Sequence, residues 1–266
     1  MKELTKRVLF GVPAAAVFLY MVWLGGVVFQ VFTGLIMVIT LLEMVRMFRK
    51  MQVSPVPSLS LLTALFLWSF PLLPGWLAVS VSAGLVLATL WALADRRRDF
   101  SDRWMVSLFC GLYAPLGFLF LNRVRMIEPS ETGMWLTFAL ILMIWGNDVF
   151  AYFGGRSFGK RPLAPAISPG KTWEGFWSGF AGAALGLMIA FLAADPFPLD
   201  LWTALPAVIL VSIFGPLGDL VASRMKRLAG AKDSSGLLPG HGGFLDRFDA
   251  LILCSPVVFL YLDWVM

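Results

Sequence analysis

The segment from Ser223 to Asp249 has the highest density of residues in this chain that could carry out chemistry. It contains three aspartates, several basic residues, the chain's single histidine and a Gly-Gly pair, and it lies between two long apolar runs. Carboxylate oxygens bind Mg²⁺, and Lys and Arg side chains bind phosphate groups. A polyanionic substrate and a divalent cation would both find ligands here, so this segment is predicted to hold the chemistry.

Four aspartates are predicted to lie at the ends of three helices, on one side of the molecule. Asp148 stands about two turns before the end of an apolar run, where a carboxylate is costly unless it faces a cavity, a partner or an ion. Asp219 follows a Gly-Pro pair, and Asp246 and Asp249 are three residues apart, on one helical face. We expect these four carboxylates to ligate Mg²⁺, with a second cation left open. The alternatives are an ion pair for Asp148 and simple helix capping for Asp246.

A second candidate phosphate site lies in the loop that ends at Thr172. The run Pro169-Gly170-Lys171-Thr172 is similar to the end of a phosphate-binding P-loop, but Pro165 occupies the position of the first glycine and no strand is predicted before it. A P-loop nucleoside triphosphatase is therefore excluded. A glycine-containing loop that runs into a helix still forms a phosphate cradle. The alternative is an ordinary helix start capped by Ser168 or Thr172.

Three basic residues between the last two apolar runs, Lys226, Arg227 and Lys232, suit the stabilisation of several phosphates. His241 lies among glycines that permit a close backbone approach, and we expect it to contact a phosphate or nucleotide atom rather than to transfer a proton. Cys110 and Cys254 lie inside apolar runs without metal-ligand spacing, and are predicted to be buried and inert.

The composition predicts an integral membrane protein. Of the 266 residues 59% are hydrophobic and 14% are charged, against about 25% charged residues in a soluble domain. We predict an all-α, polytopic fold as a single domain over 1–266, with N-terminal scaffold helices in 1–121 and catalytic helices and loops in 134–266. About nine membrane spans are expected, at 7–24, 26–45, 59–74, 76–94, 104–121, 134–153, 172–194, 201–221 and 248–266.

The basic residues predict the orientation of these spans. With the N-terminus in the cytoplasm, 19 of the 21 Lys and Arg residues fall on the cytoplasmic side, and only Arg123 and Arg125 fall outside. The C-terminus is then outside, and the two long polar loops face the cytoplasm. Because this bias accounts for the net charge of +5, no nucleic-acid partner is predicted.

Glycines four residues apart in the seventh span, at 175 and 179 and again at 182 and 186, predict close helix packing. Packing within the chain is the expected use, and the seam of a homodimer is the alternative.

Residues 223–249 resemble the signature of the phosphatidate cytidylyltransferase family. The matching residues are Ser223, Met225, Lys226, Arg227, Lys232, Asp233, Ser235, Leu238, Pro239, His241, Gly242, Gly243, Phe244, Asp246, Arg247, Phe248 and Asp249. Upstream, Asn147-Asp148, the run Ser168 to Thr172, and Gly218-Asp219 also resemble family segments. The resemblance implies a Mg²⁺-dependent enzyme of the cytoplasmic membrane that makes CDP-diacylglycerol from CTP and phosphatidic acid.

The resemblance and the residue chemistry together predict the site. Catalytic roles are expected for Asp148, Lys171, Asp219, Lys226, Asp246 and Asp249, with the four aspartates also as metal ligands, Asp219 and Asp246 first. Substrate contacts are expected from Asn147, Ser168, Ser223, Arg227, Lys232, His241, Gly242, Gly243 and Arg247. One rival interpretation is a CTP-dependent polyprenol or phytol kinase. The other is a transporter, which the absence of internal repeats disfavours.

Overall fold

The computed structural model describes residues 3–70, 73–94, 98–238 and 240–266. Four residues that entered the charge count or the family signature lie outside the described residues: Lys2, Arg96, Arg97 and Pro239. The described ranges form helices α1 (Glu3–Leu24), α2 (Gly26–Lys50), α3 (Pro57–Ser69), α4 (Gly75–Ala94), α5 (Arg98–Arg125), α6 (Ser130–Phe158), α7 (Trp173–Ala193), α8 (Leu201–Leu228) and α9 (Leu245–Val265), with strands β1 (Pro162–Ala164) and β2 (Ser168–Thr172) between α6 and α7.

Seven of the described helices are long and apolar enough to cross a membrane, namely α2 and α4 to α9. The described apolar part of α1, Phe10–Leu24, falls below that length, and so does α3 with 13 residues. At 1.5 Å per residue α3 is about 20 Å long, against about 30 Å of hydrocarbon. The prediction of a polytopic helical membrane protein is thus confirmed, whereas the count of nine spans and the orientation stay predictions.

Several helices continue past the apolar runs that define the predicted spans. The sixth predicted span ends at 153 and the eighth at 221, but α6 reaches Phe158 and α8 reaches Leu228. Likewise α9 begins at Leu245, three residues before the predicted start. Backbone hydrogen bonds within a helix do not depend on side-chain polarity. These helices therefore project polar turns, carrying Arg156, Lys226 and Asp246, beyond their apolar portions.

The loop between α6 and α7 folds into a small antiparallel hairpin, in which Pro162 pairs with Thr172 and Ala164 with Ser168. The hairpin was not part of the sequence-based prediction, and it places Ser168 and Lys171 on a strand within an otherwise helical fold. The capping prediction is right for Thr172, whose hydroxyl accepts a 3.1 Å hydrogen bond from the Gly175 N–H at the start of α7. The hairpin holds Lys171 beside the first turn of that helix.

Helices α6 and α7 pack through facing glycines. A side chain at Gly182 would collide with the Gly146 carbonyl oxygen, and one at Gly179 would lie 2.6 Å from Nδ2 of Asn147. A side chain at Gly186 would collide with the Leu142 carbonyl. The glycine stripe of α7 therefore serves packing within the chain, as expected, and is covered by α6.

Replacing Gly182 with valine is expected to lower the midpoint of thermal unfolding in detergent by roughly 5 °C, because the added methyl groups must force α6 and α7 apart. The matched control is Gly84→Val in α4, where an added Cβ meets nothing within 4 Å. Differential scanning fluorimetry of the two variants measures the difference. Equal midpoints would contradict the packing argument.

One buried core joins the N-terminal and C-terminal helices. Phe248 of α9 packs against the rings of Phe18 and Phe118, at centroid distances of 5.4 Å in both cases. The two cysteines are unbonded and buried in this interior, as predicted. At the C-terminal end of α5, the buried Arg125 donates to the Val22 carbonyl at 2.6 Å and to the Ser130 carbonyl at 3.0 Å. Arg125 thus links the end of α5 to the end of α1 and the start of α6. This structural role explains why Arg125 is one of the two basic residues that the charge pattern does not place on the cytoplasmic side.

Candidate active site

A cavity of about 640 Å³ lies where the C-terminal ends of α6 and α8 meet the N-terminal ends of α7 and α9, beside the hairpin. The N-terminal ends of two helices carry partial positive charge, which favours anions. The polar side chains that line the cavity are Asn147, Asp148, Tyr152, Arg156, Lys171, Thr172, Asp219, Lys226, Asp233, Asp246, Arg247 and Asp249.

The structure brings together the four aspartates that the sequence analysis selected. Asp148 comes from α6, Asp219 from α8, and Asp246 and Asp249 from the first turns of α9. The approach of α8 to α9 is close because Gly218 has no side chain, and a Cβ there would collide with the Asp249 carbonyl oxygen. Asp249 is buried, with 9% of its surface exposed.

Two lysines pair with two of these aspartates. The Lys171 ammonium lies 2.6 Å from Asp219 Oδ2, and the Lys226 ammonium lies 2.6 Å from Asp246 Oδ1. The first pair is partly open to solvent, whereas the side chains of the second are 12% and 6% exposed. The cavity thus holds cations that can contact substrate phosphates, and their charge is balanced by neighbouring carboxylates in the absence of substrate.

Asp246 also organises the loop before α9. Its Oδ2 accepts hydrogen bonds from the backbone N–H of Ser234 at 2.8 Å and of Gly243 at 2.9 Å, and the Ser234 hydroxyl lies 2.9 Å away. Together with the Lys226 contact, these bonds occupy most of the four lone-pair directions of a carboxylate. Asp246 therefore combines an ion pair with hydrogen bonds to the loop before α9, and not with the capping of N–H groups within the helix that was the alternative for it.

The carboxylates suit a metal ion that shares its coordination with substrate. No three acidic, histidine or cysteine side chains in the described ranges are close enough to enclose an ion by themselves. Mg²⁺ characteristically takes one or two carboxylates and completes its shell with water and phosphate oxygens. Asp148 and Asp249 make no ion pair within the described chain, and the side chain of Asp219 is 38% exposed beside its lysine. The hard oxygen donors present thus fit Mg²⁺, with Asp246 the least available of the four.

Asn147 is an unusual component of the cavity wall. Its side chain is 1% exposed, and neither its Oδ1 nor its Nδ2 has a hydrogen-bond partner in the described protein. A buried amide without partners costs free energy. The arrangement is explained if a substrate group, or a water molecule that substrate displaces, completes these hydrogen bonds. The predicted substrate contact for Asn147 is consistent with this geometry.

Seven predicted substrate-contact residues do not line the cavity: Ser168, Ser223, Arg227, Lys232, His241, Gly242 and Gly243. Two of them support residues of the site or its neighbourhood. The Ser223 hydroxyl donates to Asp219 Oδ1 at 3.1 Å, and the Arg227 guanidinium donates to the Ala231 carbonyl at 3.3 Å. Lys232 is exposed, and Ser168 pairs with Ala164 in the hairpin.

The glycine motif around His241 has a packing explanation. A Cβ at Gly242, where φ is +78°, would lie 2.6 Å from Asp246 Oδ2, and a Cβ at Gly243 would collide with the Ser234 hydroxyl. His241 is directed towards α1, where its ring lies 5.7 Å from that of Phe10. The glycines thus make room for a carboxylate and a hydroxyl, and a substrate contact at this motif stays a prediction.

Four residues of the site and its support were missed in the sequence. Tyr152, Arg156 and Asp233 line the cavity. Tyr152 lies within the last residues of the predicted sixth span, and Arg156 lies one helical turn later, in the polar turn by which α6 continues past that span. Glu43 of α2 binds the loop before α9 through four hydrogen bonds. Glu43 could have been recognised in the sequence because it is an acidic residue within the apolar run from Val38 to Val45.

Comparison with known proteins agrees with this geometry. Residues 5–265 match the family described as the Cytidylyltransferase family. A relative from Bacillus subtilis (strain 168), named phosphatidate cytidylyltransferase, is 34% identical over 273 residues, covering 98% of each chain. Relatives of the same name from Staphylococcus haemolyticus and Staphylococcus aureus (strain COL) are 33% and 34% identical over 261 residues, covering 95% of this chain and 96% of theirs.

Proposed function

Because this chain belongs to the cytidylyltransferase family, we propose that its cavity joins CTP and phosphatidate to form CDP-diacylglycerol and pyrophosphate. The observation that carries the proposal is the convergence of five carboxylates, two lysines and two arginines on one cavity at the ends of helices long and apolar enough to span a membrane. A bilayer-resident lipid and a water-soluble nucleotide can both reach such a position. The relatives that match along almost their whole length bear the name of this activity.

The reaction is a displacement at phosphorus. An oxygen of the phosphatidate phosphate attacks the α-phosphorus of CTP, a new P–O–P bond forms, and the bond to the β-phosphate oxygen breaks as pyrophosphate leaves. The attacking oxygen is ionised near neutral pH, so no general base is needed. The position of His241, outside the cavity lining, agrees with a mechanism that does not use it for proton transfer.

Bringing two anions together is the main difficulty, and the cations of the cavity address it. Lys171, Lys226 and Arg247 are proposed to contact substrate phosphates, and Arg156 joins them because it lines the same cavity. Fixed charges that lie where negative charge develops stabilise the transition state without reorganisation. When substrate enters, the ammonium groups of Lys171 and Lys226 can turn from Asp219 and Asp246 towards phosphate oxygens.

Magnesium is proposed as the cofactor, held by Asp148, Asp219 and Asp249, with Asp246 less available for the reason given above. The ion would act as a Lewis acid that neutralises charge on the phosphates. The chain itself contributes the carboxylate oxygens of these aspartates and holds them at one cavity. Asn147, with both amide atoms unpaired and buried, is proposed to orient a substrate through hydrogen bonds.

The protein is proposed to reside in the cytoplasmic membrane with the cavity facing the cytoplasm, where CTP is available. The distribution of Lys and Arg in the sequence supports this orientation. No nucleic-acid partner is proposed. If the protein forms a homodimer, its seam lies away from the α7 glycines, which α6 covers.

The test separates transfer of the cytidylyl group from transfer of the terminal phosphate. Detergent-purified protein is incubated with phosphatidate, Mg²⁺ and CTP that carries ³²P at the α or at the γ position. We expect label in the lipid from α-labelled CTP, none from γ-labelled CTP, and loss of incorporation on addition of EDTA. Lipid labelled only from γ-labelled CTP would indicate a CTP-dependent lipid kinase and overturn the proposal, and activity in EDTA would contradict the metal assignment.

A further inference from the structure

Glu43 is a buried acid that lies outside the cavity and on a helix of the N-terminal half. It belongs to α2, and its side chain is 0% exposed. A buried carboxylate is unfavourable unless hydrogen bonds replace its hydration. Such a residue in a membrane-spanning helix usually has a specific partner.

All four hydrogen bonds to Glu43 come from the segment that leads into α9. Its Oε1 accepts from the Ser235 hydroxyl at 2.6 Å and the Phe244 N–H at 3.0 Å, and its Oε2 accepts from the Ser234 hydroxyl and the Leu245 N–H, both at 2.9 Å. Each oxygen therefore receives one hydroxyl and one backbone N–H. The carboxylate is fully satisfied, although about 190 to 200 residues separate it from its donors.

These bonds replace a cap that α9 lacks. Phe244 occupies the N-cap position of α9, and no side chain of its own segment caps the helix. The N–H groups at a helix start need acceptors, and a negative charge there is favoured by the helix dipole. Glu43 supplies both from α2. Gly243 is required for this contact, since a Cβ there would lie 2.5 and 2.6 Å from the two carboxylate oxygens.

One hydroxyl connects this cap to the cavity. Ser234 Oγ lies 2.9 Å from Glu43 Oε2 and 2.9 Å from Asp246 Oδ2. Its single proton can be donated to one of these two acceptors at a time, so the hydroxyl lies between two carboxylates that both bind the loop before α9. Displacement of Glu43 would therefore release the start of α9, on which Asp246, Arg247 and Asp249 stand.

We infer that Glu43 is a positioning residue for the reaction, acting through segment 234–245 to orient the α9 side chains in the cavity. The activity measurements that test this inference rest on the proposed function. It also gives the N-terminal helices a part in the site, beyond anchoring the chain in the bilayer.

The decisive variant is Glu43→Gln, which retains the size of the side chain. A hydroxyl group can accept a hydrogen bond as well as donate one, whereas a backbone N–H group can only donate. Each oxygen of Glu43 accepts from one backbone N–H. Whichever way the glutamine amide turns, its NH₂ group faces an N–H of Phe244 or Leu245. We expect kcat to fall about 10- to 100-fold, with KM for CTP and for phosphatidate changed less than about threefold, because Glu43 lies outside the cavity lining.

Two further measurements distinguish positioning from general stability. Hydrogen exchange should accelerate at Phe244 and Leu245 while α4 and α7 keep their protection. The control is Thr40→Val, one turn earlier in α2, where a buried hydroxyl bonds only within its own helix. Activity of Glu43→Gln within twofold of the parent, or faster exchange in all helices with unchanged kcat per folded molecule, would overturn the inference.

If Glu43→Gln does not fold, Ser235→Ala decides, because it removes one donor and leaves the carboxylate in place. A fall in kcat of about threefold or more supports the inference, and unchanged kcat overturns it. Failure of the proposed function would be recognised separately, since the parent protein would then transfer no α-label to lipid. The exchange measurement would still report on the cap.

Discussion

The Asp246→Asn variant is expected to lose about a thousandfold in kcat. In the parent, Oδ1 accepts the Lys226 ammonium while Oδ2 accepts backbone N–H groups of Ser234 and Gly243. An asparagine must direct its NH₂ group at one of these two sets of donors, and none of them can become an acceptor. The variant therefore either releases Lys226 or opens the loop before α9.

The measurement is the initial rate of α-label incorporation by detergent-purified protein at saturating CTP and phosphatidate. Asp263→Asn is the matched control, because Asp263 is an exposed aspartate near the other end of the same helix. We expect the control to keep its activity within twofold and both variants to remain folded. Near-normal turnover of Asp246→Asn would refute a catalytic role for this carboxylate.

Replacing Lys171 with glutamine is expected to lower kcat/KM for CTP about a hundredfold. The strand β2 directs this ammonium into the cavity, where it lies 2.6 Å from Asp219 and 3.3 Å from the Pro216 carbonyl oxygen. Glutamine removes the positive charge and leaves Asp219 without its partner. Substrate phosphates would then enter a cavity with one cation fewer and one uncompensated carboxylate more.

Lys160→Gln is the control for this variant. Lys160 is an exposed lysine at the start of the same loop and is not among the cavity-lining residues. Steady-state kinetics with varied CTP should show a loss for Lys171→Gln and none for Lys160→Gln. Equal kinetics for both variants would mean that the charge at position 171 is not used in catalysis.

Helix positions were largely predictable because a membrane imposes a simple rule on sequence. A spanning helix must be apolar over its length in hydrocarbon, so each long apolar run marks one helix. The predicted ends were less accurate, since α6 and α8 continue for five and seven residues past the predicted spans. Polarity marks where a helix meets water, whereas its hydrogen bonds determine where it stops.

The acidic half of the site was predictable for a related reason. Asp148, Asp219, Asp246 and Asp249 stand next to apolar runs, at ends that the charge pattern places on one side, so their convergence followed from topology. Which residues face the cavity could not be read in this way. His241, Gly242 and Gly243 match the family signature, yet they lie behind the cavity wall because Asp246 and Ser234 occupy the space beside them.

The sequence by itself determined a helical membrane protein, the family and the four carboxylates with their lysines, since these depend on local composition and residue type. Only the tertiary structure decided the hairpin that positions Lys171, the pairing of each lysine with one aspartate, and the cap that Glu43 provides to α9. Those features depend on contacts between residues far apart in the chain. Such contacts follow from how the helices pack, and no local pattern of residues encodes them.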